Sequence, residues 1–466
     1  MKLTFTNLGA LDCGELEIAD LTIICGENNT GKTYVTYLVY CLLSSWKSLV
    51  DIDLKRDFIE LRKSGTVRID LQAKVADRWT NICSEAIVGF KDNFPEMLAS
   101  KSDLFAKLDV QIDIPLGTVW KSREYKSELR SAKGNLLVSL VKAANSSILE
   151  LAAPSTEGEN NELLSFANFI EDRVFDLMLD EVIPNVFIAS TERTGATTFK
   201  KQLNLAVGNI LDLLTQAHKE GESSLKPQTI FDTLYGKPDY ALPVRHNVQF
   251  LNALPETNAE DGSLHKEFPK LLGRFESIVG GTYVTKNGAT SFKPKGSGVA
   301  LGLGESSSSV RSMLIVWYWL KYVAKKGDML ILDEPELNLH PANQRRLARF
   351  IASLVNHGVK VFLTTHSDYI VRELNTLIML KNSTHRSAVL KKFGEYLQDD
   401  VLDSSRLNLY MAQESSILKE GNTRKTKAKT LIKAEMSQSL GVQAKSFDDT
   451  IDQMNAIQEA IYYGSE

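Results

Sequence analysis

Residues Gly26, Glu27, Asn28, Asn29, Thr30, Gly31, Lys32 and Thr33 fit the spacing of a glycine, four residues, a second glycine, lysine, and serine or threonine. That spacing suits phosphate binding. The glycines let the backbone curl until successive N–H groups face one anion, and the helix that follows adds its positive dipole end. Lys32 is placed to bridge β- and γ-phosphates, and the Thr33 hydroxyl to ligate Mg²⁺. A second group lies at Met329–Pro335, where four apolar residues run into Asp333 and Glu334. Adjacent acids at the end of a strand serve two tasks: Asp333 on the metal side, Glu334 as the base that takes a proton from water. A third lies at Val361–Ser367, where His366 follows another apolar run and is placed to sense a γ-phosphate.

These side chains need strands that end together. Lys2–Phe5, Glu15–Ile18 and Leu21–Cys25 read as short strands, and a helix is expected from about Gly31 to Trp46. Asn185–Ala189, Asp328–Leu332 and Val359–Leu363 are nearly continuous apolar runs. Helical patterns at Pro341–Val355 and Asp368–Leu374 follow the last two. Apolar strands alternating with helices predict a largely parallel sheet covered on both faces. Further helices are expected at Leu205–His218 and Phe268–Val279, followed by a glycine-punctuated hairpin. The run Ser306–Ser309 opens a helix carrying Val310, Met313, Leu314, Trp317 and Leu320 on one face. From Lys47 to Pro184 the pattern is mixed, with strand-like pieces at Thr66–Leu71, Asp109–Ile114 and Asn135–Val141, and without a heptad repeat.

Composition narrows the setting. The 466 residues are 43% hydrophobic and 24% charged, as expected of a globular chain. No apolar run reaches membrane-spanning length and the first 20 residues lack a basic-then-apolar leader, so a cytoplasmic location is expected. The net charge of −4 gives bulk DNA binding no support. Cys13, Cys25, Cys41 and Cys83 have no metal-ligand spacing and read as reduced thiols.

The order of phosphate loop, serine-opened helix, Asp-Glu pair and histidine resembles the ATPase heads of the ABC and SMC-like class over residues 1–45 and about 184–380. The resemblance implies an α/β fold: an ABC-type P-loop ATPase head with a mixed, largely parallel central sheet, a helical and mixed insertion, and a small C-terminal arm. The corresponding division is 1–46 and 185–380 for the head, 47–184 for the insertion and 381–466 for the arm. It implies ATP and Mg²⁺ as ligands. It also implies a homo-oligomer of heads with ATP sandwiched between them, the D-loop being Glu336–His340. The signature motif of that class is LSGG-like; here Gly304, Glu305 and Ser306–Ser309 stand in its place, without its glycines. Ser307 and Ser308 are the candidates for contacting the γ-phosphate held by the opposite head, and a serine-rich helix cap is the alternative.

Within that class the phrases ESSSSVRSM (305–313), LILDEPELNLHPANQ (330–344), LTTHSDYI (363–370) and ERTG (192–195) resemble the compact OLD-type ATPases of bacterial antiphage systems, such as the ATPase subunits of Septu and PARIS. Arg193 stands near the Q-loop position, where no glutamine occurs. Contact with phosphate or a neighbouring head and an ordinary loop ion pair are both open to it. OLD proteins carry a C-terminal Toprim nuclease, whereas Asp399, Asp400 and Asp403 follow no apolar strand. The effector is therefore expected to be a separate nuclease or toxin, with DNA or a phage protein as further partners. A RecF-like repair ATPase that binds DNA directly is the alternative, and a self-sufficient nuclease and a non-hydrolysing scaffold are the other rivals. The basic stretch Arg424, Lys425, Lys427, Lys429 and Lys433 reads as a solvated face or, alternatively, a contact for nucleic acid or a partner.

Overall fold

The computed structural model describes residues 1–131, 133–153, 162–180, 182–199, 240–253, 260–286, 289–417, 425–437, 441–442 and 445–463. The helix expected at Leu205–His218 lies outside the described residues. Two compact units form: Met1–Thr4, Leu42–Asn93 and Val110–Asn185 make one, and Phe5–Cys41, Phe94–Asp109 and Val186–Glu466 the other. Strands β1 (Lys2–Leu8) and β5 (Asp109–Asp113) each cross a boundary between the units along the chain.

The first unit holds β4 (Thr66–Asp70), β6 (Tyr125–Arg130), β7 (Leu136–Lys142) and β8 (Ile148–Ala152). They form an antiparallel sheet in the order β4-β8-β7-β6. Alternating residues such as Val67, Ile69, Val138 and Leu140 are buried, the pattern of a sheet covered on one face.

The second unit is built on β2 (Leu11–Glu17), β3 (Leu21–Gly26), β9 (Val186–Ala189), β13 (Met329–Asp333), β14 (Lys360–Thr365), β15 (Leu407–Ile417) and β16 (Thr426–Lys433), in the order β2-β16-β15-β3-β14-β13-β9. From β15 to β9 the strands are parallel; β16 runs antiparallel to β15. Every residue of β3 and β13 is buried, because helices cover both faces of a parallel sheet. The mixed, largely parallel α/β sheet expected from the apolar strands is therefore present. The helix after β3 is Lys32–Leu49, and those after β13 and β14 are Pro341–Asn356 and Asp368–Asn382.

Two expectations need correction. Residues 381–466 do not stand apart as an arm: β15 inserts beside β3, with Leu407 opposite Leu21 and Ala412 opposite Gly26, and β16 follows it into the sheet. The cause is the run Leu407–Ala412, whose Leu407, Leu409, Tyr410, Met411 and Ala412 are all buried. The helix Ser308–Tyr318 is likewise buried beyond one face, with Ile315, Val316 and Tyr318 as covered as Met313 and Trp317. A small sheet of β10 (Gly281–Lys286), β11 (Ala289–Pro294) and β12 (Leu301–Gly302) packs against it. Tyr283 donates its hydroxyl to the Val310 carbonyl at 2.5 Å, and Tyr318 hydrogen-bonds Thr285 at 2.8 Å. No described helix is long and apolar enough to cross a membrane.

Candidate active site

Gly26 ends β3 and Lys32 opens the helix, so the loop between them sits at the C-terminal edge of the parallel strands, where α/β sheets bind ligands. Gly26, Asn29 and Gly31 take φ of 148°, 60° and 94°, values that curl the backbone and favour glycine or asparagine. The Thr30 hydroxyl donates to the Glu27 carbonyl at 2.8 Å and closes the turn. Lys32, 5% exposed, donates its ammonium to the carbonyls of Glu27 at 2.6 Å and Gly26 at 3.1 Å. Burial holds its pKa below the ordinary lysine range, against the opposing pull of Glu334 and Asp333. The Thr33 hydroxyl, half-buried, has no protein partner among the described residues.

Two strands away, Asp333 ends β13 fully buried. Thr364 of β14 donates to its Oδ1 at 2.6 Å and Thr191, after β9, to its Oδ2 at 2.8 Å. Burial nonetheless pushes the Asp333 carboxyl above its usual range. Glu334 has φ 47°, a left-handed conformation that costs a non-glycine residue about 1 kcal/mol or more. Its Oε1 lies 3.0 Å from Nε2 of His366, and that hydrogen bond is the main cause holding the Glu334 carboxyl below the usual glutamate range. The structure thus gathers Asp333, Glu334 and His366 at one edge of neighbouring strands, with Lys32 close enough to feel both acids.

Other side chains complete this group in places that the sequence did not assign to them. Glu336, half-buried, accepts from the His366 backbone N–H at 2.6 Å and the Thr365 hydroxyl at 2.9 Å; its Oε2 is enclosed and has no partner among the described residues. Burial raises its pKa. Arg193 makes no ion pair among the described residues: 1% exposed, it donates to the carbonyls of Ser190, Asp333 and Glu334 at 2.8, 2.7 and 2.9 Å. Residues Gly26–Thr30 also share a cleft of about 410 Å³ with Gln413 and Glu414 of β15 and Lys429 of β16. An isolated threonine, arginine or glutamate carries no spacing signal, which is why only the strand order reveals them.

Ser307 and Ser308 stand elsewhere in the unit. Ser307 caps the helix Ser308–Tyr318, accepting from Val310 N–H at 3.4 Å, and Arg311 donates to Ser308 Oγ at 3.3 Å. No hydrogen bond among the described residues joins them to Lys32, Asp333, Glu334 or His366. The serine-rich cap is what the structure shows in one chain.

The family model of the AAA ATPase domain matches residues 1–371. The chain belongs to the AAA ATPase domain family. As such it is an ATPase, and the phosphate loop, acids and histidine all fall inside the matched region. Over 88 residues it is 34% identical to the energy-coupling factor transporter ATP-binding protein EcfA1 of Methanospirillum hungatei, 19% of this chain and 32% of that relative. Among solved structures, an SMC head domain from Thermotoga maritima aligns over 93% of this chain and 98% of its own at 10% identity and TM-score 0.30. An Smc head with an extended coiled coil, bound to the C-terminal domain of ScpA from Pyrococcus furiosus, covers 98% of both at 10% identity and TM-score 0.32.

The ATPase domain's donors suit Mg²⁺, which takes one or two protein oxygens and completes its shell with phosphate and water. Thr33 offers a hydroxyl without a partner among the described residues. Asp333 keeps one lone pair on each oxygen after accepting from Thr364 and Thr191.

Proposed function

We propose that this ATPase binds ATP on Gly26, Asn28, Asn29, Thr30, Gly31, Lys32 and Thr33 and hydrolyses it with Glu334 as base. The observation that carries the reading is the Glu334–His366 pair at 3.0 Å, set at the strand edge that bears the phosphate loop. Lys32 exchanges its two loop carbonyls for β- and γ-phosphate oxygens. Thr33 and Asp333 would hold Mg²⁺, which would supply positive charge to offset that of the phosphates. Glu334, kept ionised, takes a proton from the attacking water as its oxygen bonds phosphorus, and the bond to the ADP oxygen breaks. His366 orients the carboxylate and lies where a γ-phosphate contact is available to it. The cleft beside Gln413, Glu414 and Lys429 is suited to the remainder of the nucleotide.

The reading extends to assembly. ATP-bound heads pair, Ser307 and Ser308 of one head reaching the γ-phosphate held by the other, since a helix N-terminus with hydroxyls binds phosphate oxygens. The paired state holds or releases a separate nuclease or toxin in antiphage defence, residues 47–184 supplying a partner surface. Direct DNA binding through the basic stretch is not favoured, because Lys427 pairs with Glu414 and Lys433 with Glu17.

ATP turnover and particle size in solution, with and without ATP, test both levels. Lys32→Ala is expected to lose nucleotide binding, and Glu334→Gln to bind ATP, turn over slowly and accumulate as a larger species. An unchanged rate in Glu334→Gln would sink the base assignment, and an unchanged size with ATP the pairing.

A further inference from the structure

The loop Ser190–Arg193 after β9 grips the acids from outside the phosphate loop. Thr191 donates to the Asp333 side chain at 2.8 Å, while Arg193 holds the main chain of both acids, at 2.7 Å on the Asp333 carbonyl and 2.9 Å on that of Glu334. A buried guanidinium is costly to desolvate, and burial is the main cause depressing the Arg193 pKa. Its hydrogen bonds among the described residues go to carbonyl oxygens and none to a carboxylate, so they fix backbone geometry, while its charge also acts on Asp333 and Glu334. They fall where geometry is most demanding, at the left-handed turn of Glu334. The loop is also tied to the helix that the phosphate loop opens, for Tyr37 donates its hydroxyl to Glu192 at 3.0 Å.

We infer that Arg193 is a positioning residue for hydrolysis: it fixes the left-handed backbone of Glu334 and so aims the carboxylate at His366 and the attacking water. This rests on Glu334 being the base. In this role Arg193 acts through the two carbonyls. A lysine at this place keeps a positive charge but lacks the planar fork that spans separated acceptors, so charge alone does not substitute.

The test is a double-mutant cycle in the full chain, reading turnover, ATP affinity and melting temperature for Arg193→Lys, Glu334→Gln and the pair. Arg193→Lys is expected to lose about 10- to 100-fold in turnover, the scale of a misplaced reacting group, with ATP affinity within about threefold. Added to Glu334→Gln it should cost nothing further, because the aim of a missing base does not matter. Full turnover in a folded Arg193→Lys protein overturns the inference, as does a loss that multiplies with that of Glu334→Gln. If Glu334→Gln alone keeps full turnover, the base assignment has failed instead. Should Arg193→Lys not fold, Tyr37→Phe loosens the same loop from the helix that anchors it. It is then expected to lower turnover severalfold at unchanged ATP affinity, and full turnover there overturns the inference.

Discussion

Glu334 and His366, contributed by the ends of neighbouring parallel strands, meet with Oε1 and Nε2 3.0 Å apart. The contact both orients the carboxylate and holds its pKa below the ordinary glutamate range. Removing the imbalance of roles between the two is the simplest probe. His366→Ala should reduce ATP turnover by about 10- to 100-fold while ATP affinity changes little, the pattern of a group that acts in the transition state. Losing its largest pKa-lowering partner, Glu334 should also titrate at higher pH. The acid limb of the turnover profile is then expected to move upward in His366→Ala, and a limb that stays put would remove His366 from control of Glu334.

Glu336 gives the opposite sign. Burial raises its folded pKa above its unfolded one, so the folded protein binds the proton more tightly and the ionised form lowers stability at neutral pH. Glu336→Gln keeps an acceptor for His366 N–H and Thr365. It should therefore be more stable than the natural protein at pH 7, with the advantage shrinking as pH falls through the folded pKa and gone below the unfolded one. Thermal melts across pH 3 to 8 read this directly; a difference independent of pH would contradict it.

Gly26 allows no side chain. A Cβ there would stand 2.5 Å from the Ala412 carbonyl of β15, at a φ of 148°. Gly26→Ala should lower stability by about 1–3 kcal/mol, the range for overpacking, and weaken ATP binding by displacing the loop from β15. A melt and a nucleotide titration on one sample would show whether the two losses travel together.

Ending the chain after residue 380 strips β15 from one side of β3 and leaves that central strand with a bare edge. Such a fragment is expected to be insoluble or to lack a cooperative melt. A folded fragment that binds ATP would restore the division of head from arm at 381.

Much of this was legible in the sequence because the phosphate loop, Asp333, Glu334 and His366 all follow apolar strands, and the strands announce themselves. Even the left-handed Asn29 fits a residue type suited to it. What escaped was whatever depends on strand order. Nothing in Leu407–Ala412 says that it lies beside Leu21–Gly26, and with that neighbour unknown, Gln413, Glu414 and Lys429 could not be placed next to the phosphate loop. Arg193 stood out in ERTG as a phosphate or neighbouring-head contact or a loop ion pair, since only the fold shows that three carbonyls converge on it. The helix from Ser308 was read as one-sided because the sequence, though it announces the hairpin, does not say that the hairpin packs on the helix.

The place of β15 also governs how the protein is made. Asp20, just before β3, pairs with Arg406, just before β15, across 386 residues of sequence. At synthesis rates of about 5 to 20 residues per second, the phosphate-loop strand waits roughly 20 to 80 seconds on the ribosome for that neighbour. During that wait its edge and apolar side chains are open to wrong partners. The phosphate-loop strand is therefore completed on that side only when nearly the whole chain has been made.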